Sequence, residues 1–211
     1  MTLLYLVRHG ETDWNLQRRI QGSTDIPLNE TGRLQARRTG SLLARRSWDA
    51  IISSPLVRAV ETATIIADEL DLGAPEIVDA IVERAYGEAE GLDDRELARR
   101  FPGNTPVAGR ESRQDVSARV MPALAAIAEN RPGQHLILTT HGGVIRTVLE
   151  TVAPASEVHR GVRITNGSIH SFRYYDGVFK LLRFNDPIEV ASVEPGAEDL
   201  VEQNALEGRE H

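Results

Sequence analysis

Three short runs of apolar residues recur along the chain, and each ends abruptly at small or polar residues. They lie at residues 3–7, 50–53 and 136–140. Continuous apolar runs of this length are typical of strands that are buried on both faces of a parallel sheet. The pattern therefore predicts three buried strands.

A helical pattern at residues 30–46 separates the first two strands, and Asn29 or Thr31 can cap the predicted helix. Its apolar positions are Leu34, Leu42 and Leu43.

A second helix is predicted after the second strand. Ser54 can cap this helix, Pro55 suits its first position, and Gly73 supplies its end. Its apolar stripe consists of Leu56, Ala59, Val60, Ala63, Ile66, Ala67 and Leu70. Alternating strands and helices predict an α/β fold, a three-layer sandwich with a mostly parallel central sheet and helices on both faces.

Residues 84–110 interrupt this alternation. The segment is rich in glycine, proline and charge, so we expect a loop-rich insertion over the active edge of the sheet. A further helix is predicted around residues 116–127, and Pro122 should kink it or delay its start.

The C-terminal part of the chain predicts a hairpin followed by a tail. Residues 168–175 and 178–184 have strand-like patterns, and an Asp-Gly pair suits the turn between them. Beyond the hairpin, large apolar residues are few and carboxylates are many. We therefore expect one domain at residues 1–185 and an acidic, flexible tail at residues 186–211.

Composition limits the class of partner. The formal net charge of −7 and the pI near 5.4 argue against nucleic acid or an anionic membrane as partner. The chain has no cysteine, which excludes disulfides and a thiol nucleophile. Charge appears too early for a signal peptide, and no apolar run is long enough to span a membrane. We expect a cytoplasmic protein that binds a small molecule. The sequence does not decide whether the protein forms a homodimer.

Each predicted strand ends in a turn that leads to a helix, and each turn carries groups suited to phosphate. The turns contain Arg8-His9-Gly10, Ser53-Ser54-Pro55 with Arg58, and His141-Gly142-Gly143. Because the carboxyl ends of parallel strands line one edge of a sheet, these groups should converge there. Guanidinium groups and helix N-termini both suit phosphate oxygens.

Arg58 indicates an anion by its position alone. A cation near the first turn of a helix opposes the positive end of the helix dipole, so an anionic group should lie nearby. Glu61, three residues further on, is one candidate. A bound phosphate is the other, and the two remaining turns favour it.

Zinc is the rival ligand for the two histidines, with carboxylates such as Asp25 or Glu83 completing a site. Arg8 and Arg58 argue against zinc, because two fixed positive charges would repel a metal dication. The sequence therefore predicts neither metal nor cofactor. No function is assigned to the other histidines, which are His135, His159, His170 and His211.

Residues 6–15, LVRHGETDWN, resemble the opening signature of the histidine phosphatase superfamily, also called phosphoglycerate-mutase-like. The match continues in the family's order at residues 20–28 (IQGSTDIPL), at Gly32 with Gln35-Ala36, at residues 53–63 (SSPLVRAVETA), at Glu83 with Tyr86-Gly87 and Glu90-Gly91, and at residues 140–143 (THGG). So many motifs in order make chance a poor explanation. The resemblance covers roughly residues 3–184.

The resemblance implies a mechanism in which His9 attacks phosphorus and forms a phosphohistidine. His9 would attack as a neutral imidazole, with its other ring nitrogen fixed by a hydrogen bond to the backbone. Glu83 would protonate the leaving oxygen and then activate water, although an ion pair with Arg84 is the alternative for this carboxylate. The groups around the phosphoryl oxygens would be Arg8, Asn15, Gln21, Gly22, Arg58, His141 and Gly142.

The resemblance leaves several functions open. A phosphomonoester phosphatase acting on a small phosphorylated metabolite is favoured, because residues 88–91 (EAEG) are nearer the phosphatase form. A cofactor-dependent phosphoglycerate mutase is the alternative, to which residues 84–87 lean, but the Arg-Arg-Ser and proline-run segment of mutases is missing. A third reading is an inactive relative that binds a phosphorylated ligand. Such a relative should lack a catalytic residue, and none is missing.

Four arginines of the insertion could bind a second acidic group of the substrate, or they could face water. They are Arg95, Arg99, Arg100 and Arg110. The specific substrate therefore stays undetermined by the sequence.

Overall fold

Six strands form one sheet in the computed structural model, which describes residues 1–103, 105–154 and 156–188. In chain order the strands are β1 (Thr2–Arg8), β2 (Ala50–Ser53), β3 (Glu76–Ile77), β4 (His135–Thr140), β5 (Ile169–Tyr175) and β6 (Val178–Arg183). Across the sheet the order is β3-β2-β4-β1-β5-β6. Strands β1 to β4 run parallel, and β5 pairs antiparallel with both β1 and β6. The mostly parallel sheet is confirmed, with the three predicted strands as its centre.

The two faces of β1 belong to two separate hydrophobic clusters. Leu4 and Leu6 lie in one cluster, whereas Leu3, Tyr5 and Val7 lie in the other. Successive side chains of a strand point to opposite faces, so an unbroken apolar run requires a covering layer on each side.

Helices supply both covering layers. The helices are α1 (Asp13–Leu16), α2 (Glu30–Leu43), α3 (Val57–Leu70), α4 (Asp94–Arg100), α5 (Arg113–Glu129) and α6 (Gly142–Val152). Helices α2 and α3 contribute to the cluster of Tyr5, and α5 and α6 contribute to the cluster of Leu4. The three-layer sandwich is therefore confirmed.

Helix α2 begins after Asn29, whose side chain accepts from the backbone of the first turn, and of its three leucines only Leu43 is buried. Leu34 and Leu42 are 53% and 36% exposed. The buried residues are Gly32, Ala36, Thr39, Gly40 and Leu43. Small residues face α3 because the helices approach closely: a Cβ at Gly40 would lie 2.8 Å from the Cβ of Glu69.

Helix α3 differs from the prediction at both ends. It begins after Leu56, which has no side chain able to cap it, while the Ser54 hydroxyl contacts His141 and the Leu56 N–H. Pro55 therefore precedes the helix rather than opening it. The helix ends at Asp71 in a left-handed conformation with φ of 53°, not at Gly73.

The insertion at residues 84–110 lies over the carboxyl edge of the sheet. It contains a 3₁₀ turn (Gly87–Ala89), the short helix α4 and connecting loops. The Glu90 carboxylate anchors it by accepting hydrogen bonds from the Ser23 N–H at 3.0 Å and the Thr24 hydroxyl at 2.6 Å. The loop-rich insertion is confirmed, and α4 is an addition to the prediction.

Helix α5 begins well before Pro122, so the expected delay of its start is wrong. Ser112 and Asp115 form a capping box that fixes the start at Arg113. The buried stripe of the helix consists of Val116, Val120, Leu124, Ile127 and Ala128. Packing of that stripe outweighs the hydrogen bond that proline cannot donate.

The hairpin turn has Asp176 and Gly177 at φ of 49° and 76°, as a tight turn between strands requires. Residues 186–188, assigned above to the tail, are packed: Asp186 accepts from the Ser171 hydroxyl at 2.6 Å, and Ile188 is fully buried. The rest of the predicted tail lies outside the described residues. No helix of the described chain is both long and apolar enough to cross a membrane.

Candidate active site

The three predicted turns meet at the carboxyl edge of the central strands. The His9 N–H donates to the Thr140 carbonyl at 3.0 Å, and the rings of His9 and His141 are 5.2 Å apart between centroids. The Ser54 hydroxyl lies 2.6 Å from Nε2 of His141. Because β1, β4 and β2 are neighbours in the sheet, the residues that follow them come into contact.

His9 is buried, and its ring is held in one protonation pattern. Nδ1 lies 2.6 Å from the carbonyl oxygen of Gly10. A carbonyl oxygen can only accept, so Nδ1 carries the hydrogen and Nε2 keeps its lone pair. Burial, and then the charges of Arg8 and Arg58, hold the pKa of His9 well below 6.5. The imidazole is therefore neutral at physiological pH.

Two side chains hold the backbone of the turn at His9 and Gly10. Thr62 accepts from the Gly10 N–H at 3.1 Å and donates to the Arg58 carbonyl at 2.7 Å. Asn166 donates to the carbonyls of His9 and Gly10 at 3.0 and 3.2 Å. The sequence analysis missed Asn166, because 157 positions separate it from His9 and no motif marks it.

Arg8 places a guanidinium beside His9. Its Nη1 donates to the Ile164 carbonyl at 2.6 Å, while its buried Nε has no partner among the described residues. A Cβ at Gly142 would lie 3.4 Å from this Nε, so glycine leaves room for the guanidinium. Burial lowers the pKa of Arg8 to about 10, and the group stays charged at neutral pH.

Arg58 has no exposed surface and is held by backbone carbonyls. It donates to Gly22 at 2.7 Å and to Thr24 at 2.8 Å, and its buried Nε has no partner within the described chain. Glu61, the alternative partner, instead pairs with Arg33 at 2.6 Å. The anion that the position of Arg58 calls for is therefore not Glu61.

His141 is fully buried at the N-terminal end of α6. Its Nε2 contacts Ser54, and its Nδ1 is buried with no partner in the described part of the chain. Burial first, then Arg58 and His9, hold the pKa of His141 well below 6.5. The helix starts at Gly142, against Arg8, and adds the positive end of its dipole.

Neutral donors complete the surroundings. The amide oxygen of Asn15 accepts from the Thr12 N–H at 3.2 Å, and that of Gln21 accepts from the Thr12 hydroxyl at 2.9 Å. Neither amino group makes a hydrogen bond within the described residues, so both can act as donors. Gly22 has φ of 55°, a backbone conformation that favours glycine, and turns its carbonyl toward Arg58.

Glu83 is half-buried next to the start of α6. Its carboxylate accepts from the Gly143 N–H at 3.1 Å and the Arg84 N–H at 2.8 Å. No ion pair between described residues involves Glu83, so the alternative pairing with the Arg84 guanidinium is not formed. A Cβ at position 143 would lie 2.5 Å from Oε1, so the second glycine of the third turn admits this carboxylate.

Arg8, His9, Arg58 and His141 together form the set called the cradle below. The insertion arginines lie outside it: Arg95, Arg99, Arg100 and Arg110 are all exposed. Among the described residues, no group of three or more His, Cys, Asp or Glu side chains is arranged to hold a metal ion. Chemically, the cradle offers one neutral nucleophilic nitrogen among fixed positive charges.

The chain is similar over most of its length to known phosphatases and mutases. It is 38% identical over 185 residues to the uncharacterized phosphatase PhoE of Bacillus subtilis (strain 168), covering 88% of this chain and 95% of that one. It is 36% identical to the probable phosphoglycerate mutase GpmB of Salmonella choleraesuis (strain SC-B67), covering 83% and 86%. A phosphoserine phosphatase variant from Entamoeba histolytica, solved with phosphoserine, superposes with a TM-score of 0.76 at 28% identity over 89% and 98% of the chains. Residues 4–187 match the model of the histidine phosphatase superfamily (branch 1), and the chain belongs to that family.

Proposed function

We propose that this chain is a phosphomonoester phosphatase that acts on a small phosphorylated metabolite through a phosphohistidine at His9. One observation carries the proposal. A buried imidazole with a free Nε2 lies among buried nitrogens of Arg8, Arg58 and His141 that have no partner within the described residues. Buried polar atoms are normally paired, and a phosphoryl group supplies the acceptors that these nitrogens lack.

In the first step, the lone pair on Nε2 of His9 attacks phosphorus while the bond to the leaving oxygen breaks. Glu83 gives its proton to that oxygen, and the product alcohol departs. Arg8 and Arg58 neutralise the charge on the phosphoryl oxygens. Phosphoryl transfer depends chiefly on such positioning and charge stabilisation.

In the second step, water attacks the phosphohistidine. Glu83, now a carboxylate, takes a proton from that water, the bond from phosphorus to Nε2 breaks, and phosphate leaves. The hydrogen bond from Nδ1 to Gly10 keeps the ring in the tautomer that both steps need.

We also propose that the reaction needs no metal ion. The fixed charges of Arg8 and Arg58 perform the stabilising role that a dication has in other phosphatases, and they would repel one. A strong chelator should therefore leave the rate of phosphate release unchanged. Loss of activity that added metal restores would contradict this part of the proposal.

The similar proteins support hydrolysis, but they are also compatible with the alternative function, a phosphoglycerate mutase. A phosphatase and a phosphoserine phosphatase are among the similar proteins, as is a probable phosphoglycerate mutase. An inactive binder is disfavoured because none of the residues to which this proposal gives a role is missing from the chain.

A panel of phosphomonoesters assayed for free phosphate tests the function. In parallel, 3-phosphoglycerate with its bisphosphate is assayed for isomerisation. We expect phosphate release from several substrates and little isomerisation. Rapid isomerisation with little free phosphate would establish the mutase instead, and failure of both assays would leave the inactive binder.

A further inference from the structure

A cavity of about 430 Å³ lies between α6, the start of α5, Pro154 and residues 159–163. Its charged and ionisable lining consists of Arg113, Arg146, Glu150, His159, Arg160 and Arg163. Four arginines face one glutamate, so the cavity is strongly positive and suits an anion.

Three of these arginines already have partners. The partners are Glu150 for Arg113, the carbonyls of His159 and Val162 for Arg146, and Glu157 for Arg160. Arg163 is exposed and has neither an ion pair nor a hydrogen bond within the described chain. It is therefore the cation of this cavity that is free to bind a ligand.

The cavity adjoins the cradle through the backbone. The carbonyl of Ile164 accepts from Nη1 of Arg8 at 2.6 Å, and Arg163 is the preceding residue. Arg163 is near enough for its charge to act on Arg8. The cavity and the cradle are therefore neighbours, linked through residues 163 and 164 of the chain.

A second polar group of the cavity also lacks a partner. His159 is 3% exposed, and its Nε2 donates to the Ala153 carbonyl at 2.8 Å. Its Nδ1 is buried and has no partner among the residues described. Because Nε2 carries the donated hydrogen, Nδ1 offers a lone pair, which suits a hydroxyl or ammonium donor of a ligand and not its anionic oxygens.

We propose that this cavity binds a second anionic group of the substrate, a carboxylate or a further phosphate, and that Arg163 is the residue that pairs with it. The proposal rests on the proposed function and names its substrate class: phosphomonoesters with a second negative charge. Binding of the second acidic group is thereby assigned to Arg163, in the segment before β5, and not to the arginines of the insertion. A guanidinium binds carboxylate and phosphate oxygens with two parallel hydrogen bonds, which suits either group.

A matched substrate pair tests the proposal. In glycerol 3-phosphate, a hydroxymethyl group replaces the carboxylate of 3-phosphoglycerate. In Arg163→Gln, kcat/KM for 3-phosphoglycerate should fall about tenfold to a hundredfold, mainly through KM, and that for glycerol 3-phosphate less than about twofold. Propane-1,3-diol bisphosphate and the corresponding monophosphate form a second pair, which tests whether Arg163 binds a second phosphate group. Arg163→Gln should lower kcat/KM for the bisphosphate selectively. Arg95→Gln in the insertion is the matched control and should leave kcat/KM unchanged for both substrates of each pair.

Equal losses on both members of each pair, no loss, or the same selective loss in Arg95→Gln would overturn the proposal. Calorimetry measures substrate binding to the His9→Ala variant without turnover. This measurement separates failure of the Arg163 proposal from failure of the proposed function. That variant should bind 3-phosphoglycerate about tenfold more tightly than glycerol 3-phosphate, and adding Arg163→Gln should remove the difference. If the wild type hydrolyses nothing, this binding difference still decides the role of Arg163.

Discussion

The cradle and the insertion both carry arginines, but they hold them in opposite ways. Arg58 is fully buried and donates to two backbone carbonyls, whereas Arg95, Arg99 and Arg100 are exposed on α4. Burying a charge is costly unless it is hydrogen-bonded, so a cation in the core is held by many fixed groups. The difference teaches that rigid charge serves the chemistry common to all substrates, and exposed charge can change with little structural cost.

The largest loss of activity should follow from changing the shape of a buried charge while keeping its sign. In Arg58→Lys, one ammonium replaces a guanidinium that holds Gly22 and Thr24 and still offers Nε to a ligand. We expect kcat to fall about 10²-fold to 10³-fold on every substrate. Steady-state phosphate release measures the loss.

Arg33→Lys, which alters an arginine paired with Glu61 outside the cradle, is the control and should keep near-normal activity. Thermal unfolding shows whether the Arg58→Lys chain is folded. A folded variant that loses less than about tenfold would show that charge alone, without the guanidinium shape, is sufficient.

The next largest effect should depend on the leaving group. Glu83→Gln removes the proton donor, so single-turnover phosphorylation by an alkyl phosphate should slow about a hundredfold. With p-nitrophenyl phosphate the loss should stay below about fivefold, because that leaving group departs without a proton. Equal losses for both substrates would assign Glu83 to positioning rather than proton transfer.

The residues of the cradle could be predicted because they follow strands that the apolar pattern reveals. His9, Arg58 and His141 lie just beyond three buried parallel strands, and the carboxyl ends of such strands share one edge. The convergence of distant residues is therefore a consequence of topology, and topology follows from the alternation of strands and helices.

The supports of the cradle could not be predicted in the same way. Asn166 holds the turn after His9 from a segment far along the chain, and a local pattern contains no trace of that contact. Thr62 lies within the motif at residues 53–63, which relates it to Arg58, but its hydrogen bond with Gly10 joins distant segments and is not visible in the motif. The exposure of Leu34 has a similar origin, because close approach of α3 selects the small face of α2. The supports of the turn and the exposure of Leu34 both depend on which segments pack together, and the local sequence does not contain that information.

A smaller effect concerns pH. Burial, then Arg8 and Arg58, hold the pKa of His9 well below 6.5, so its neutral form persists as the pH falls. Between pH 7 and 5.5, its imidazole NMR signal should show less than about a twofold change in neutral fraction, against about eightfold in the urea-unfolded chain. Titration of the folded His9 near pH 6.5 would contradict a pre-formed neutral nucleophile.

The same shift has a consequence for stability. The unfolded chain binds this proton below about pH 6.5 and the folded chain does not, so acid favours unfolding in that range. Each such histidine should lower the free energy of unfolding by up to about 1.4 kcal/mol per pH unit. His170, whose pKa burial lowers to about 4, should contribute until about that pH. Urea titrations at pH 7, 6 and 5 measure the trend.

The smallest effects should come from the exposed arginines of α4. Changing Arg95, Arg99 or Arg100 to Gln should alter kcat/KM by less than about twofold on charged and uncharged substrates alike. Assays at low and high salt would sharpen this result, because screening reduces any contribution from exposed charge. A selective loss above tenfold would move substrate selection back to the insertion.

The role of His9 as carrier of the phosphoryl group can be tested by trapping the phosphorylated protein. Wild-type protein and the variants His9→Ala and His135→Ala are mixed with ³²P-labelled substrate, quenched within milliseconds and analysed for protein-bound label. A label that is stable in base and lost in acid is expected in wild type and His135→Ala, and no label in His9→Ala. Label that persists in His9→Ala, or phosphate release from wild type with no labelled protein at any time, would contradict it.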